Sequence, residues 1–226
     1  MKFSTNTWIF VAAGLTLGLV AIAGAGDFRL PGNHQGYRPE QPIAYSHRQH
    51  AGELAIKCQY CHYGASKSRS AGIPSVSICM NCHRHVTAGF DAVLEERQRA
   101  EEEGREPARV ISPALAELYD ALALDSEMNP IPGREPRPPQ WVRVHNLPDF
   151  VNFDHRPHVS RGLACQTCHG PVQGMERLQQ EGSLSMGWCL DCHRTSPAEP
   201  GAVPPMDGDF RRSGVHVTTD CTNCHL

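Results

Sequence analysis

The chain is poor in the residues that normally fill a core: aromatics make up 7 % of its 226 residues and hydrophobic residues 40 %. A composition of that kind leaves little apolar mass to bury. Positive charge is not in excess either: Lys+Arg number 21 against Asp+Glu 24, giving a net charge of −3, which argues against nucleic acid as a partner. No cysteine is left over, because all ten fall into CxxCH motifs. Composition alone would produce about 0.02 such motifs, so the five present are a signature, that of c-type haem attachment. Covalent porphyrin would supply the apolar mass that the side chains lack.

Charge is also missing from Phe3 to Gly26, and Trp8 to Gly26 is a nearly continuous run of apolar and small residues. At about 19 residues the run is long enough to span a bilayer. Residues 1–26 therefore read as an N-terminal transmembrane anchor. The rival is a cleaved secretory signal, for which Ala23, Gly24 and Ala25 offer a small-residue cleavage site. Lys2 at the inner end sends the following domain across the membrane, to the periplasmic side where haem is attached to CxxCH. Gly14 and Gly18, four apart, would let another helix approach closely.

The rest of the chain is a duplication. Ile43 to His62 opens with IAYSHRQH and ends in CQYCH; Val151 to His169 opens with VNFDHRPH and ends in CQTCH. Each copy continues to another motif, at Cys79–His83 and Cys189–His193, and the second copy alone adds Cys221–His225. The expected organisation is a dihaem module over 27–89, a helical, Pro-rich linker over 90–140 and a trihaem module over 141–226. In the linker, Asp91 to Glu106 reads as a solvated charged helix with Glu95 and Arg99 at i,i+4. A second helix begins at Ser112 and Pro113, with Leu115, Leu118, Tyr119 and Leu122 on one face that should pack on a haem module. Pro130, Pro132, Pro136, Pro138 and Pro139 then force an extended connector, and Ser196 to Gly214 is a second irregular stretch. The fold class expected is mostly irregular with short α-helices.

Cysteines three apart lie on one helical turn, where both sulfurs reach the vinyl groups of one haem and the adjacent histidine reaches its iron. Five covalently bound haem c groups follow. Their thioether ligands are Cys58 and Cys61, Cys79 and Cys82, Cys165 and Cys168, Cys189 and Cys192, and Cys221 and Cys224; their proximal ligands are His62, His83, His169, His193 and His225. Zinc would combine the CxxC pairs two by two, and five is an odd number of pairs. Disulfides suit the compartment but leave the five histidines unexplained.

An iron with an open axial position can bind substrate, whereas one ligated on both sides moves electrons. The pairs His47/His50 and His155/His158 stand at equivalent places in the two copies, just ahead of a motif. An aromatic residue followed by xHxxH and then CxxCH resembles the small class III multihaem cytochromes, with bis-histidine ligation. The resemblance implies that the first histidine of each pair serves the first haem and the second the next: His47 with His62, His50 with His83, His155 with His169, His158 with His193. In the resembled trihaem proteins the third haem takes its distal ligand from a histidine just before the second CxxCH. Here that neighbourhood, SLSMGWCLDCH, offers only Met186. Met186 is thus the first candidate distal ligand for the His225 haem, with His145, His216 or an open iron as alternatives. His34 and His85 read as solvent or propionate contacts.

AGIPSVSICMNCH, WVRVHNLPDFVNFDHRPH, CQTCHGPV and SLSMGWCLDCHR resemble the pentahaem, membrane-anchored cytochrome c subunit of alternative complex III, over nearly the whole chain. That family implies a quinol-oxidising complex of the bacterial inner (cytoplasmic) membrane. In it, electrons pass from an iron–sulfur subunit to the pentahaem subunit and on to a monohaem cytochrome c, soluble carrier or terminal oxidase, beside polytopic quinone-binding subunits. The chain itself would be an electron-transfer subunit and not an enzyme. The competing reading is a stand-alone membrane quinol dehydrogenase, or a reductase with one open haem. About 30 residues separate the apolar run from Cys58, more than the small quinol dehydrogenases allow, and no motif carries the lysine of multihaem nitrite reductases.

Overall fold

The structure, a computed structural model, describes residues 5–24, 34–195 and 218–225. Among them there is no β-strand, only isolated bridges at Leu124–Pro130 and Val151–His225. The irregular, helical fold expected from the sequence is what forms.

The first helix, α1, runs Thr5–Gly24 without an acidic or basic residue in its end turns. Its large side chains face outward, among them Phe10, Leu15, Leu17 and Leu19. Side chains are described here only from residue 8 to residue 21. That length rises about 21 Å, short of the ~30 Å hydrocarbon core. Among the described residues no helix is long and apolar enough to cross a membrane, so the expected transmembrane span is not found there.

The haem motifs sit on single turns or short helices: α2 (Cys58–Cys61), α3 (Val76–His83), then, beyond the linker, α7 (Gln166–His169), α8 (Met186–Thr195) and α9 (Cys221–Cys224). Ser75 caps α3 by accepting from the Ser77 N–H. In the linker, α4 (Phe90–Glu103) carries the expected Glu95–Arg99 ion pair at 3.0 Å and stops at Gly104, whose φ of +66° is the left-handed conformation that closes helices. It is more than a solvated face. Ala100 and Glu96 are buried, and Glu96 receives Arg105 Nη1 at 2.5 Å and the Ala108 N–H at 2.8 Å, folding the chain back along the helix.

α5 (Pro113–Ala121) starts with Pro at its first turn as expected. Leu118 and Tyr119 join Met80 of α3 in the core cluster, flanked by Leu115, Leu122 and Ile43, so the helix packs on the second motif. The Tyr119 hydroxyl donates to the His83 carbonyl at 2.5 Å. Among the described residues the apolar core is small: the buried hydrophobic side chains are Ala65, Met80, Ala100, Leu118, Tyr119, Ala123 and Val144. After the bridge at Pro130 the proline-rich stretch runs without helix to α6 (His155–Ser160). Of the second irregular stretch, residues 196–214 lie outside the described residues, as does His216.

Candidate haem-binding sites

The xHxxH segments of the two copies fold alike, although one forms a single wide turn of π-helix (Arg48–Glu53) and the other an α-helix. In each, the residue that opens the turn offers its carbonyl to the second histidine. Ser46 O accepts from His50 Nδ1 at 2.8 Å, and Asp154 O from His158 Nδ1 at 2.7 Å. The aromatic residue just before holds both rings. Tyr45 lies edge-on to His47 (4.9 Å between ring centres) and stacks on His50 (4.4 Å); Phe153 lies edge-on to His155 (4.8 Å) and beside His158 (4.6 Å). The aromatic position has a mechanical role: it fixes two imidazoles at once.

Those rings face the motif histidines at a repeated distance. Ring centres are 6.0 Å apart for His50 and His83, 6.4 Å for His155 and His169, and 6.1 Å for His158 and His193. Two imidazoles sharing one metal would be about 6 Å apart, from about 2 Å of metal–nitrogen distance and about 1 Å of ring on either side. His155 and His169 are also parallel, with 3° between their planes. His47 has His62 as the first charged influence on it after burial.

The remaining ring nitrogens fit the same purpose. His62 Nδ1 donates to Gly72 O (2.8 Å), His83 Nδ1 to Val86 O (2.8 Å), His193 Nδ1 to Thr218 O (2.9 Å) and His155 Nδ1 to Arg69 O (2.9 Å). Engaging Nδ1 in this way fixes the tautomer and turns Nε2 toward a metal. Burial holds His47 and His169 down to about 4, and lowers His158 and His145 as well, which favours the neutral form, the one that ligates. His47 Nδ1 and His34 Nδ1 are buried without a hydrogen-bond partner. None of the ten cysteines is paired in a disulfide. A cleft of about 460 Å³ opens beside Cys168, lined by Gln35, Gln166, Gly182 and Trp188. Among the described residues no three His, Cys, Asp or Glu side chains converge as a metal cluster, the arrangement a zinc site would need. The residues therefore fit haem: paired axial imidazoles, thiols on one turn, and a core too small without an added apolar group.

The copies are interlocked. The turn Arg48–Glu53 packs on Val172–Gly174, just past the third motif, and α6 packs on Tyr63–Ser66, just past the first. Asn81 Nδ2 donates to the Tyr60 hydroxyl (3.1 Å), joining the first two motifs, and Asn152 N donates to Cys224 O (2.7 Å).

One of the alternatives for the fifth motif, His145, stands at the third instead. The His225 ring lies against Phe150 at 5.7 Å, while Met186 opens α8 and is 65 % exposed. His145 meets the third motif, its Nε2 3.1 Å from His169 Nδ1. Its position ten residues ahead of His155 follows no helical or repeat spacing, so the sequence carried no signal for this contact. His34 lies edge-on to Tyr37 at 5.2 Å.

A family model described as cytochrome c7 and related cytochrome c matches residues 151–226, the stretch with the third, fourth and fifth motifs. This stretch is thus similar to the multihaem cytochromes c. Cytochromes c of this kind hold covalent haem c and transfer electrons. The chain is also similar to the multihaem cytochrome c subunit of menaquinone reductase from Nitratidesulfovibrio vulgaris, with 29 % identity over 130 residues, 58 % of this chain and 46 % of that protein. The chain therefore spans less than half the length of this relative.

Proposed function

We propose that the chain is the pentahaem electron-transfer subunit of a membrane quinol:electron-acceptor oxidoreductase of the alternative complex III kind. It would relay electrons from an iron–sulfur subunit to a cytochrome c or terminal oxidase. The observation that carries the electron-transfer reading is the facing of His50 with His83, His155 with His169 and His158 with His193 at 6.0–6.4 Å, a spacing at which each pair would hold a haem iron between them. Haem c ligated by two histidines supplies an iron that gains and loses one electron without releasing a ligand. What the chain itself does is hold geometry: Tyr45 and Phe153 fix the distal rings, and backbone carbonyls fix the tautomers.

Membership of a respiratory complex is supported by the similarity to a menaquinone reductase subunit and by the stretches quoted for alternative complex III. The uncharged stretch Phe3–Gly26, with Lys2 before it, supports an inner-membrane anchor with the haem domain in the periplasm. Carbon monoxide binding to the reduced protein tests the relay against the enzyme reading: a relay binds little, and strong binding at one haem reopens a reductase. Purification from detergent-solubilised membranes tests the complex. An iron–sulfur subunit and polytopic partners should accompany the chain; recovery of the chain alone would contradict the assignment.

A further inference from the structure

Six of the candidate axial histidines donate Nδ1 to a backbone carbonyl: His50, His62, His83, His155, His158 and His193. His169 differs. Its Nδ1 lies 3.1 Å from Nε2 of His145, whose ring stands nearly perpendicular to it (84°, 4.5 Å between centres), while its other side faces the parallel ring of His155. His145 is itself fixed. Val144 before it is buried, and Asn146 N after it donates at 3.0 Å to Oε1 of Gln180, a side chain with no solvent exposure. Gln180 Nε2 donates in turn to Gly182 O at 2.9 Å, and the Arg143 guanidinium donates to the His145 carbonyl at 3.0 Å.

We infer that His145 is a positioning residue for the third haem, accepting the Nδ1–H of His169 through a ring nitrogen where six of the other candidate ligands use a carbonyl. The inference rests on the reading of His169 as an axial ligand. With His169 Nε2 turned to iron, Nδ1 carries the proton and donates to His145 Nε2, so His145 is the neutral tautomer protonated on Nδ1. An imidazole nitrogen is a stronger base than an amide oxygen and draws that proton further. A partner on the outer nitrogen raises the basicity of the metal-bound one, and a more basic axial ligand favours the oxidised iron. The third haem, where the two copies meet, is thereby set apart from its neighbours by a residue that touches no haem ligand position of its own.

The test uses the holoprotein with His145→Ala and His145→Gln, followed by redox titration in the visible region and by electron paramagnetic resonance of the ferric form. In His145→Ala one of the five midpoint potentials should rise, with that haem remaining low-spin and the other four unmoved. His145→Gln, whose amide oxygen resembles the six carbonyls, should bring that potential part of the way back. Five unmoved potentials in His145→Ala would overturn the inference. Conversion of one haem to high-spin would also overturn it, by making His145 an iron ligand. A wild-type chain carrying fewer than five haems would undo the underlying reading instead, and haem content is measured first to separate the two.

Discussion

The Arg69 carbonyl accepts two hydrogen bonds from His155, one from its backbone N–H (3.1 Å) and one from its ring Nδ1 (2.9 Å). Arg69 belongs to the first copy of the repeat and His155 to the second. Its guanidinium also donates to Phe153 O at 3.2 Å, so one residue of the first copy holds the whole ligand turn of the other. The haem sites of the two copies are therefore parts of one scaffold.

That arrangement predicts an effect across the copies. A Cβ added at Gly64 would meet the carbonyl oxygens of Ala71 at 2.7 Å and Ser70 at 3.0 Å, next to Arg69. Gly64→Ala should destabilise by about 1–3 kcal/mol, the usual cost of overpacking. It should also alter the low-spin signal of the haem held by His155, although the substitution lies in the first copy. Thermal melting and electron paramagnetic resonance check both; a change confined to the His62 and His83 haems would contradict the interlock.

Removing a distal ring should open one iron. His50→Ala takes away the imidazole facing His83, and the reduced variant should bind carbon monoxide at one haem where the parent binds little. The measurement is the difference spectrum on adding the gas. An unchanged spectrum would show that His50 is not a ligand.

How much of this was legible depended on whether partners repeat at fixed spacing. The resemblance of the xHxxH and CxxCH segments to class III cytochromes implies the partners His50 and His83, His155 and His169, and His158 and His193, and the structure brings each pair to 6.0–6.4 Å. α5 was legible from its proline and its apolar face, down to the burial of Leu118 and Tyr119. The interlock was not, because it joins segments about a hundred residues apart through backbone carbonyls, which carry no sequence signature. His145 was read only as a spare ligand for the same reason: its contact is with one ring nitrogen from a stretch without regular structure. The burial of Glu96 escaped notice because its partner Arg105 lies beyond the end of α4, off the i,i+4 pattern.

The fifth haem gives the third prediction. If Met186 is its distal ligand, Met186→Ala should abolish the ferric methionine-to-iron charge-transfer band and lower the highest midpoint potential, because thioether ligation raises the potential relative to bis-histidine ligation. Retention of the band in the variant would remove Met186 from the ligand set.

The linker should respond to acid. The hydrogen bond from Arg105, with that from the Ala108 N–H, holds the Glu96 carboxyl down to about 2 from an ordinary 4.5. A depressed carboxylate stabilises the fold fully above its unfolded value, and that contribution is lost as pH falls through the folded one. Glu96→Gln should therefore lower the melting temperature at neutral pH, with the gap to the parent closing between pH 4.5 and 2. A gap independent of pH would show that packing, not the ion pair, holds α4.

The mass of the intact, purified chain tests the central claim most directly, since haem, zinc and disulfides change it differently. The account predicts the polypeptide plus five haems that survive denaturation, falling to four when Cys221 and Cys224 are both replaced by Ala. The mass of the bare polypeptide, or one lowered by the hydrogens lost to disulfides, would contradict it.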